Sequence, residues 1–326
     1  MQKAQEALKL INFESSVFED SNILVLGANG FIGKNIIRKL SHKNVKLVGL
    51  TKALHLEGVK KVNESTFMIS ASPQQWESII KKLRPKILIS AEWEGVEGSS
   101  RNQIMQHNNI PRVLRFAHCA KEIGVDHFLT FGSQAEVGVT MTKITEESPL
   151  CPVTEYGKAK AKLLEELKEF FKNTTTGFTW VRLFSVYGEG MSDNWFIMDV
   201  IKKLLANEVF EMTKGDQEWN YLYVNDVISA LEKIINFRTA GIVNVASEST
   251  IQLRDLAKLV GSKLGKNENL RIGAFNKDRT QPDSIKVDIS KLTQLGWKEE
   301  INIEKGLEIL IDYVRNQNNC INFDFK

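Results

Sequence analysis

The segment Gly27-Ala28-Asn29-Gly30-Phe31-Ile32-Gly33 constrains this chain more than any other. An apolar run, Ile23-Leu24-Val25-Leu26, comes directly before it, and an amphipathic pattern, Phe31 to Leu40, directly after. The order reads as strand, glycine turn, helix. Such a junction aims the free N–H groups and partial positive charge of a helix N-terminus at a phosphate. Glycine at 27 permits the tight turn, glycine at 30 lets the backbone approach a pyrophosphate, and glycine at 33 lets the helix lie on the strand. The spacing is G-x-x-G-x-x-G, which differs from the G-x-G-x-x-G dinucleotide fingerprint. The turn therefore gains its meaning from a second motif, Tyr156-x-x-x-Lys160.

From Ile23 to about Leu183, apolar strands alternate with amphipathic helices. Strands are expected at Val45–Leu50, Phe67–Ser70, Lys86–Ala91, His127–Phe131 and Phe178–Leu183. Helices are expected at Pro73–Leu83, at Asn102–Ile123 with a kink at Pro111, and at Glu155–Phe171. This alternation predicts an α/β fold, a doubly wound parallel sheet of Rossmann type with helices on both faces. Ligands bind at the carboxyl ends of such strands, where Gly27, Thr51, Ala91 and Ser133 fall. After Tyr187 the alternation weakens. Helices are expected at Trp195–Leu205, Asp226–Phe237, Leu253–Leu264 and Ile303–Arg315, with strands at Tyr221–Val224 and Ile242–Val245. We expect a dinucleotide-binding domain over residues 20–185, rejoined by elements within 221–246. A smaller C-terminal α/β lobe over 186–326 would bind substrate. Residues 1–20 could form a short helix through Leu8, Leu10, Ile11 and Phe13, or a plain extension.

Composition narrows the function classes. The 326 residues are 42% hydrophobic, enough for a sizeable core. Forty-three basic against 40 acidic side chains leave a net charge of +3, which points to neither nucleic acid nor a membrane surface. No apolar run reaches the ~18 residues of a membrane span, and no signal peptide is evident. Cys119, Cys151 and Cys320 lack metal-ligand spacing and read as reduced thiols of a cytoplasmic protein. The five histidines are scattered, so no metal site is expected.

Tyr156 and Lys160 stand four apart in a helical pattern and share one face. A free phenol has a pKa of about 10, too high for acid–base work near neutrality. A nearby ammonium favours the phenolate and lowers that value. The pair can then exchange a proton with a substrate oxygen.

With these residues the sequence resembles the extended short-chain dehydrogenases/reductases of the NAD-dependent epimerase/dehydratase family, whose members mostly act on nucleotide sugars. The resemblance spans roughly residues 22–315. It rests on Gly27–Gly33, Asn109, Gly132-Ser133-Gln134-Ala135-Glu136-Val137-Gly138, Tyr156-Gly157-Lys158-Ala159-Lys160, Arg182-Leu183-Phe184-Ser185-Val186-Tyr187-Gly188, Tyr223-Val224-Asn225-Asp226-Val227 and Leu295-Gly296-Trp297, in that order. It implies Tyr156 as proton donor, Lys160 as the group that lowers its pKa and binds the nicotinamide ribose, and Ser133 as a hydrogen-bond partner of the same substrate oxygen. It implies cofactor contacts from Gly27, Asn29, Gly30, Phe31, Ile32, Gly33, Thr51, Lys52, Ala91, Asn109, Tyr156, Lys160 and Phe184. Homodimers through the helices at 102–123 and 155–171 are common among such proteins.

The departures from the family pattern refine these expectations. NAD-selective members carry an acidic residue at the end of the second strand, whereas Leu47-Val48-Gly49-Leu50-Thr51-Lys52 ends in a hydroxyl and a cation. Lys52 would attract a 2′-phosphate and Thr51 could bond to it, so NADP(H) is the expected cofactor, with NAD(H) as the alternative. The family's 4,6-dehydratases place Asp and Glu after the active-site hydroxyl residue; here those positions are Gln134 and Ala135. The Cys and His of members resembling GDP-fucose synthase are replaced by Ala135 and Gly190. What remains is hydride transfer at one carbonyl. The expected substrate is a nucleotide-diphosphate sugar, held by Trp93, Ser133, Trp219 and Arg279. The leading reading is an NADPH-dependent reductase of a nucleotide-activated 4-keto-6-deoxy sugar. The alternatives are a C4 epimerase that retains NAD and a non-catalytic NADP-sensing protein.

Overall fold

Strands β1 (Ile23–Leu26), β2 (Leu47–Lys52), β3 (Gly58–Asn63), β4 (Thr66–Ala71), β5 (Ile87–Ser90), β6 (His127–Ser133) and β7 (Gly177–Leu183) join Gly241–Val245 in one eight-stranded sheet. Its order is Gly241–Val245, β7, β6, β5, β1, β2, β4, β3. These relations come from a computed structural model that describes residues 22–43, 45–52, 58–140, 142–276 and 284–317. The segment 1–20 lies outside the described residues. Neighbours from β7 across to β4 pair in parallel, and β3 returns antiparallel to β4. The chain moves outward from β1 to β2 and β4, then returns to β5 on the other side of β1. That reversal is a topological switch point, the place where open α/β sheets bind ligands.

All four residues of β1 are buried, as expected for a central parallel strand covered on both faces. Helices α1 (Phe31–Leu40), α2 (Trp76–Leu83), α3 (Asn109–Ile123) and α4 (Glu155–Phe171) flank the sheet. Ile36, Ile37 and Leu40 of α1 are buried, as are Leu163, Leu164 and Leu167 of α4. Phe171 stacks on Phe128 at 5.4 Å and on Phe178 at 5.1 Å, locking α4 onto β6 and β7.

Two expectations change. Strand β3 is absent from the sequence reading because Val59, Lys60, Lys61 and Val62 show no apolar alternation; it is a sheet edge with its lysines exposed, where charge discourages further pairing. The single helix expected over 102–123 is instead two 3₁₀ segments, Gly98–Asn102 and Ile104–Asn108, followed by α3. Pro111 lies in the first turn of α3, where its missing N–H leaves no intrahelical bond unmade, so it introduces no kink.

The chain divides into two compact units. One holds the described residues up to Gly138, Pro149–Leu183 and Leu231–Val243. The other holds Val139–Ser148, Phe184–Ala230 and the described residues from Asn244 onward. In the second unit β8 (Ser185–Tyr187) pairs in parallel with β11 (Tyr221–Tyr223), and β9 (Phe210–Met212) with β14 (Leu270–Ile272). Strand β10 (Glu218–Trp219) pairs antiparallel with β13 (Ile251–Gln252). Its helices include α5 (Phe196–Leu205), α7 (Leu253–Leu264), α8 (Ser290–Gln294) and α9 (Ile303–Gln317). Helix α6 (Val224–Asn236) and strand β12, the Gly241–Val245 strand already placed, cross the division. The Asp226 carboxylate accepts the N–H groups of Glu300 and Ile301, and Trp297 Nε1 donates to the Asp226 carbonyl at 3.2 Å. The Tyr223–Val227 and Leu295–Trp297 motifs are therefore tied to each other in this unit.

Candidate active site

The turn after β1 holds its shape through Gly27. Its φ is +76°, and an added Cβ would lie 2.9 Å from the Glu92 backbone. Gly33 has a different reason: its Cβ would lie 2.2 Å from the Gly27 carbonyl oxygen and 2.8 Å from Ala28 Cα. Gly30 has neither constraint. Its φ is −69°, and among the described residues an added Cβ would meet only the Gly27 oxygen, at 3.3 Å. Nothing in the protein's own packing demands glycine there, so the open cradle fits an incoming group. Helix α1 starts with no side-chain cap and no acidic residue in its first turn. Its N-terminal N–H groups and dipole are thus available to a diphosphate. Asn29 is exposed, and Phe31 and Ile32 are half-buried at the start of α1.

At the end of β2 the two residues assigned to a 2′-phosphate part company. Thr51 is buried, and its hydroxyl donates to the Ile69 carbonyl at 3.4 Å. The pleat that exposes Lys52 turns its neighbour Thr51 into the sheet. Lys52 is exposed, with its ammonium 3.6 Å from a Glu94 carboxylate oxygen.

Strand β5 ends across the switch point. Ala91 N–H donates to the Leu26 carbonyl at 3.0 Å. Glu92, Trp93 and Glu94 follow it in an irregular loop. Asn109, at the start of α3, binds that loop from both sides of its amide: Glu94 N–H donates to Oδ1 at 2.9 Å, and Nδ2 donates to the Glu94 carbonyl at 3.1 Å. Gln106 is fully buried beneath it, accepting from Trp93 Nε1 at 2.8 Å and donating to the Gly95 and Ser100 carbonyls. Arg112 bridges the Glu92 and Glu94 carboxylates. Burial pushes the Glu92 carboxyl above its ordinary pKa, against the pull of Arg112. Its Oε2 and the nearby Ser90 Oγ are buried without a hydrogen-bond partner among the described residues.

Ser133 ends β6, and Tyr156 and Lys160 come from α4. Thr154 caps that helix by accepting the Gly157 N–H at 3.0 Å. Gly157 permits the close approach, since its Cβ would lie 2.2 Å from the Ala135 carbonyl oxygen. The result is a buried Tyr156 whose ionisation is coupled to the Ser133 hydroxyl. Behind Ser133, Glu136 forms a fully buried pair with Arg182, its Oε1 accepting Arg182 Nε at 2.7 Å and Trp180 Nε1 at 2.8 Å. Its Oε2 accepts the Ser133 N–H at 3.1 Å. The sequence reading passed over Glu136, although the Ser133-x-x-Glu136 spacing is a capping box.

Lys160 sits 4% exposed, donating to the Phe131 carbonyl at 2.7 Å, with the Trp93 ring centroid 3.5 Å from its Nζ. Burial draws its pKa down to about 7, while the Glu136 and Glu92 charges oppose that fall and Arg101 adds to it. Tyr156 departs from the expected lowering. Burial raises its pKa, Glu136 reinforces the rise, and Arg101 and the Ser133 hydrogen bond act against it. The Lys160 ammonium is 5.8 Å from the Tyr156 ring centroid, whereas the Arg101 guanidinium carbon is at 4.3 Å. Trp93 meets Tyr156 edge-on at 5.9 Å. Arg101, Gln106 and Arg112 left no signal in the sequence because they come from short 3₁₀ segments and a polar helix face.

Of the other candidates, Phe184 is buried just after β7 and belongs to the second unit. Trp219 lies in β10 of that unit, with Nε1 buried and unpartnered among the described residues. Arg279 lies outside the described residues.

Comparison with known proteins shows the family and the fold. The model of the NAD dependent epimerase/dehydratase family matches residues 23–246. A dTDP-4-dehydro-6-deoxyglucose reductase from Escherichia coli is 22% identical over 311 residues, 90% of this chain and 98% of its own length. A dTDP-6-deoxy-L-talose 4-dehydrogenase (NAD(+)) from Aggregatibacter actinomycetemcomitans is 23% identical over 240 residues, 72% of this chain and 87% of its own. Among solved structures, a UDP-glucose 4-epimerase from Thermotoga maritima with UDP-glucose superposes with a TM-score of 0.79 at 21% identity, covering 91% of this chain and 99% of that one. A UDP-glucose 4-epimerase from Thermus thermophilus in complex with NAD gives 0.79 at 18% identity, covering 90% and 99%.

Proposed function

The chain belongs to the NAD-dependent epimerase/dehydratase family and is an NAD(P)-dependent short-chain dehydrogenase/reductase, and from that membership we propose that it reduces the keto group of a nucleotide-activated 4-keto-6-deoxy sugar with NADPH. The observation that carries the reading is the meeting of Ser133 and Tyr156 at the carboxyl end of β6, with Gln134 and Ala135 beside them. These neighbours supply neither the acid nor the base that removal of water requires. The reductase and the 4-dehydrogenase among its relatives carry names for chemistry of this kind on dTDP sugars.

The nicotinamide group supplies the hydride when bound. The α1 N-terminus and Gly30 cradle would hold the dinucleotide's diphosphate, Lys52 its 2′-phosphate, and Lys160 its nicotinamide ribose. Ser133 and Tyr156 both direct O–H groups at the carbonyl oxygen, where negative charge grows as the carbon is reduced. Tyr156 then delivers its proton to that oxygen, leaving a phenolate that solvent reprotonates. Trp219 and Arg279 remain the candidates for the sugar nucleotide.

One observation favours the second reading, a C4 epimerase that retains NAD. Thr51 spends its hydroxyl within the sheet, and Glu94 already lies beside Lys52, so the 2′-phosphate contact rests on one partly neutralised cation. The experiment follows NADPH absorbance while enzymatically made nucleotide-4-keto-6-deoxy sugars are offered. Oxidation of NADPH with a matching reduced sugar supports the reductase. NAD that co-purifies, with interconversion of C4 epimers and no net NADPH use, overturns it in favour of the epimerase.

A further inference from the structure

One ion pair crosses the mouth of the sheet. Lys52 ends β2, and Glu94 lies in the loop after β5. These strands flank β1 on opposite sides, with Leu26 paired to Leu50 of β2 and to Ser90 of β5. The Lys52 ammonium and a Glu94 carboxylate oxygen, 3.6 Å apart, therefore meet beyond the carboxyl end of β1. The loop lies close against the glycine turn there, since a Cβ on Gly27 would sit 2.9 Å from the Glu92 backbone. Glu94 is fixed in this place twice over. The Asn109 amide clasps its backbone, and Arg112 makes two contacts to its carboxylate, at 3.1 and 3.2 Å. Hydrogen bonding to Arg112 holds the Glu94 carboxyl below its ordinary pKa, so it is ionised at neutrality. Lys52 and Glu94 are both half-exposed, so their pairing alone contributes little stability and opens at little cost.

We propose that Glu94 is the residue that discriminates between the two dinucleotides: its carboxylate accepts the 2′-hydroxyl of NAD(H) and opposes a 2′-phosphate that approaches Lys52. This deepens the proposed function and rests on its placement of the adenine ribose at Lys52. The chemistry follows from charge and from the direction of hydrogen bonds. A carboxylate offers only acceptors, so it suits a ribose hydroxyl, which donates, and repels a phosphate, which is itself an anion. Lys52 offers only donors and a positive charge, so it suits the phosphate. Each cofactor thus finds one partner in the pair and one group that does not serve it. Arg112 and Asn109 keep Glu94 in place when Lys52 turns to a phosphate, so the negative charge does not swing away from the 2′ position. The acid absent from the end of β2 is supplied from across β1, by a strand on the other side of the switch point. Glu94 thereby tempers a preference for NADP(H) that Lys52 alone would make steep.

The test is calorimetric titration of the full chain with NAD⁺ and with NADP⁺, without any sugar, so it stands whether or not the proposed substrate is correct. In Glu94→Gln, NAD⁺ should bind about three- to tenfold more weakly, as expected when a charge-assisted hydrogen bond becomes a neutral one. NADP⁺ should bind about threefold more tightly or better, and this gain should shrink at high salt because it comes from removing a repelling charge. Lys52→Met should shift the ratio of the two affinities the other way, by weakening NADP⁺ about tenfold. A ratio unchanged in Glu94→Gln overturns the proposal. Equal weakening of both cofactors also overturns it, because it marks a residue that only shapes the loop. If the ratio still moves in Lys52→Met, the placement of the 2′-phosphate survives that result; if it moves in neither variant, that placement fails as well. Thermal melts confirm that each variant is folded. Should Glu94→Gln melt early, Glu94→Asp takes its place: the shorter side chain keeps the charge but draws it back from Lys52, and the ratio should move in the same direction by less. A ratio equal to wild type in Glu94→Asp would then refute the assignment.

Discussion

Substituting the two glycines of the α1 junction separately tests what the turn is for. In Gly33→Ala the new methyl carbon would sit 2.2 Å from the Gly27 carbonyl oxygen and 2.8 Å from Ala28 Cα, both backbone atoms. Neither can swing aside, so β1 and α1 must separate. Overpacking of this kind costs about 1–3 kcal/mol, and about 1 kcal/mol returns as helix propensity. A net loss of about 1 kcal/mol, and at most about 2 kcal/mol, lowers Tm by a few degrees, at roughly 2–4 °C per kcal/mol for a chain of this order of size. In Gly30→Ala the added carbon meets only the Gly27 oxygen at 3.3 Å, at a φ of −69° that alanine adopts freely. Stability should stay within about 1 kcal/mol of wild type, because the weaker N-cap and the stiffer unfolded chain oppose each other. The methyl group nonetheless occupies the cradle proposed for the diphosphate. NADPH at 100 times its Kd stabilises a binding protein by about 2.7 kcal/mol; tenfold weaker binding leaves about 1.4 kcal/mol. Thermal melts with and without NADPH, supported by calorimetric titration, read both effects. Gly33→Ala should melt early, and Gly30→Ala should melt normally but lose at least half of its NADPH stabilisation. A Gly30→Ala protein with full NADPH stabilisation would refute the cradle, and a Gly33→Ala protein as stable as wild type would refute the close packing.

Further outcomes follow from other contacts. Glu136→Gln leaves Arg182 charged and fully buried beside an amide, so chemical denaturation should show a loss of about 3 kcal/mol or more. Lys52→Glu should raise the KM for NADPH about tenfold while leaving that for NADH within a few-fold, as expected for one charge-assisted contact to a 2′-phosphate; equal effects on both would remove Lys52 from the cofactor site. His127 is buried with Nε2 2.7 Å from Thr179 Oγ1, and burial lowers its pKa to about 4. The unfolded chain therefore binds a proton near pH 6.5 that the folded one refuses until about pH 4, so stability should fall as pH drops through that window, by about 3 kcal/mol at full effect. The difference in unfolding free energy between wild type and His127→Gln should narrow across that window; a constant difference would refute a neutral buried imidazole.

Much of this protein is legible in its chain. The apolar run Ile23–Leu26, the glycines that follow it, and the four-residue step from Tyr156 to Lys160 are local patterns, and local patterns report strand, turn and helix face directly. Periodicity placed most elements to within a few residues, because parallel strands buried on both faces are continuous apolar runs. It failed for β3, an edge hairpin of exposed lysines, and for the region 98–108, where 3₁₀ segments carry no period that a helix pattern can detect. It also left unread that Thr51 is buried against Ile69 while Lys52 is exposed, since which way the last residues of β2 point depends on the register with β4. Electrostatics lay further still from the sequence. Lys160 and Tyr156 share a helix face as their spacing requires, but where the charge acts is set by what surrounds them. Phe131 and Trp93 engage the ammonium, and Arg101, 55 positions before the tyrosine, covers its ring. Spacing along one helix is a property of the chain. Burial and the approach of groups distant in sequence exist only after folding, and those two quantities set the pKa directions of Tyr156 and Lys160.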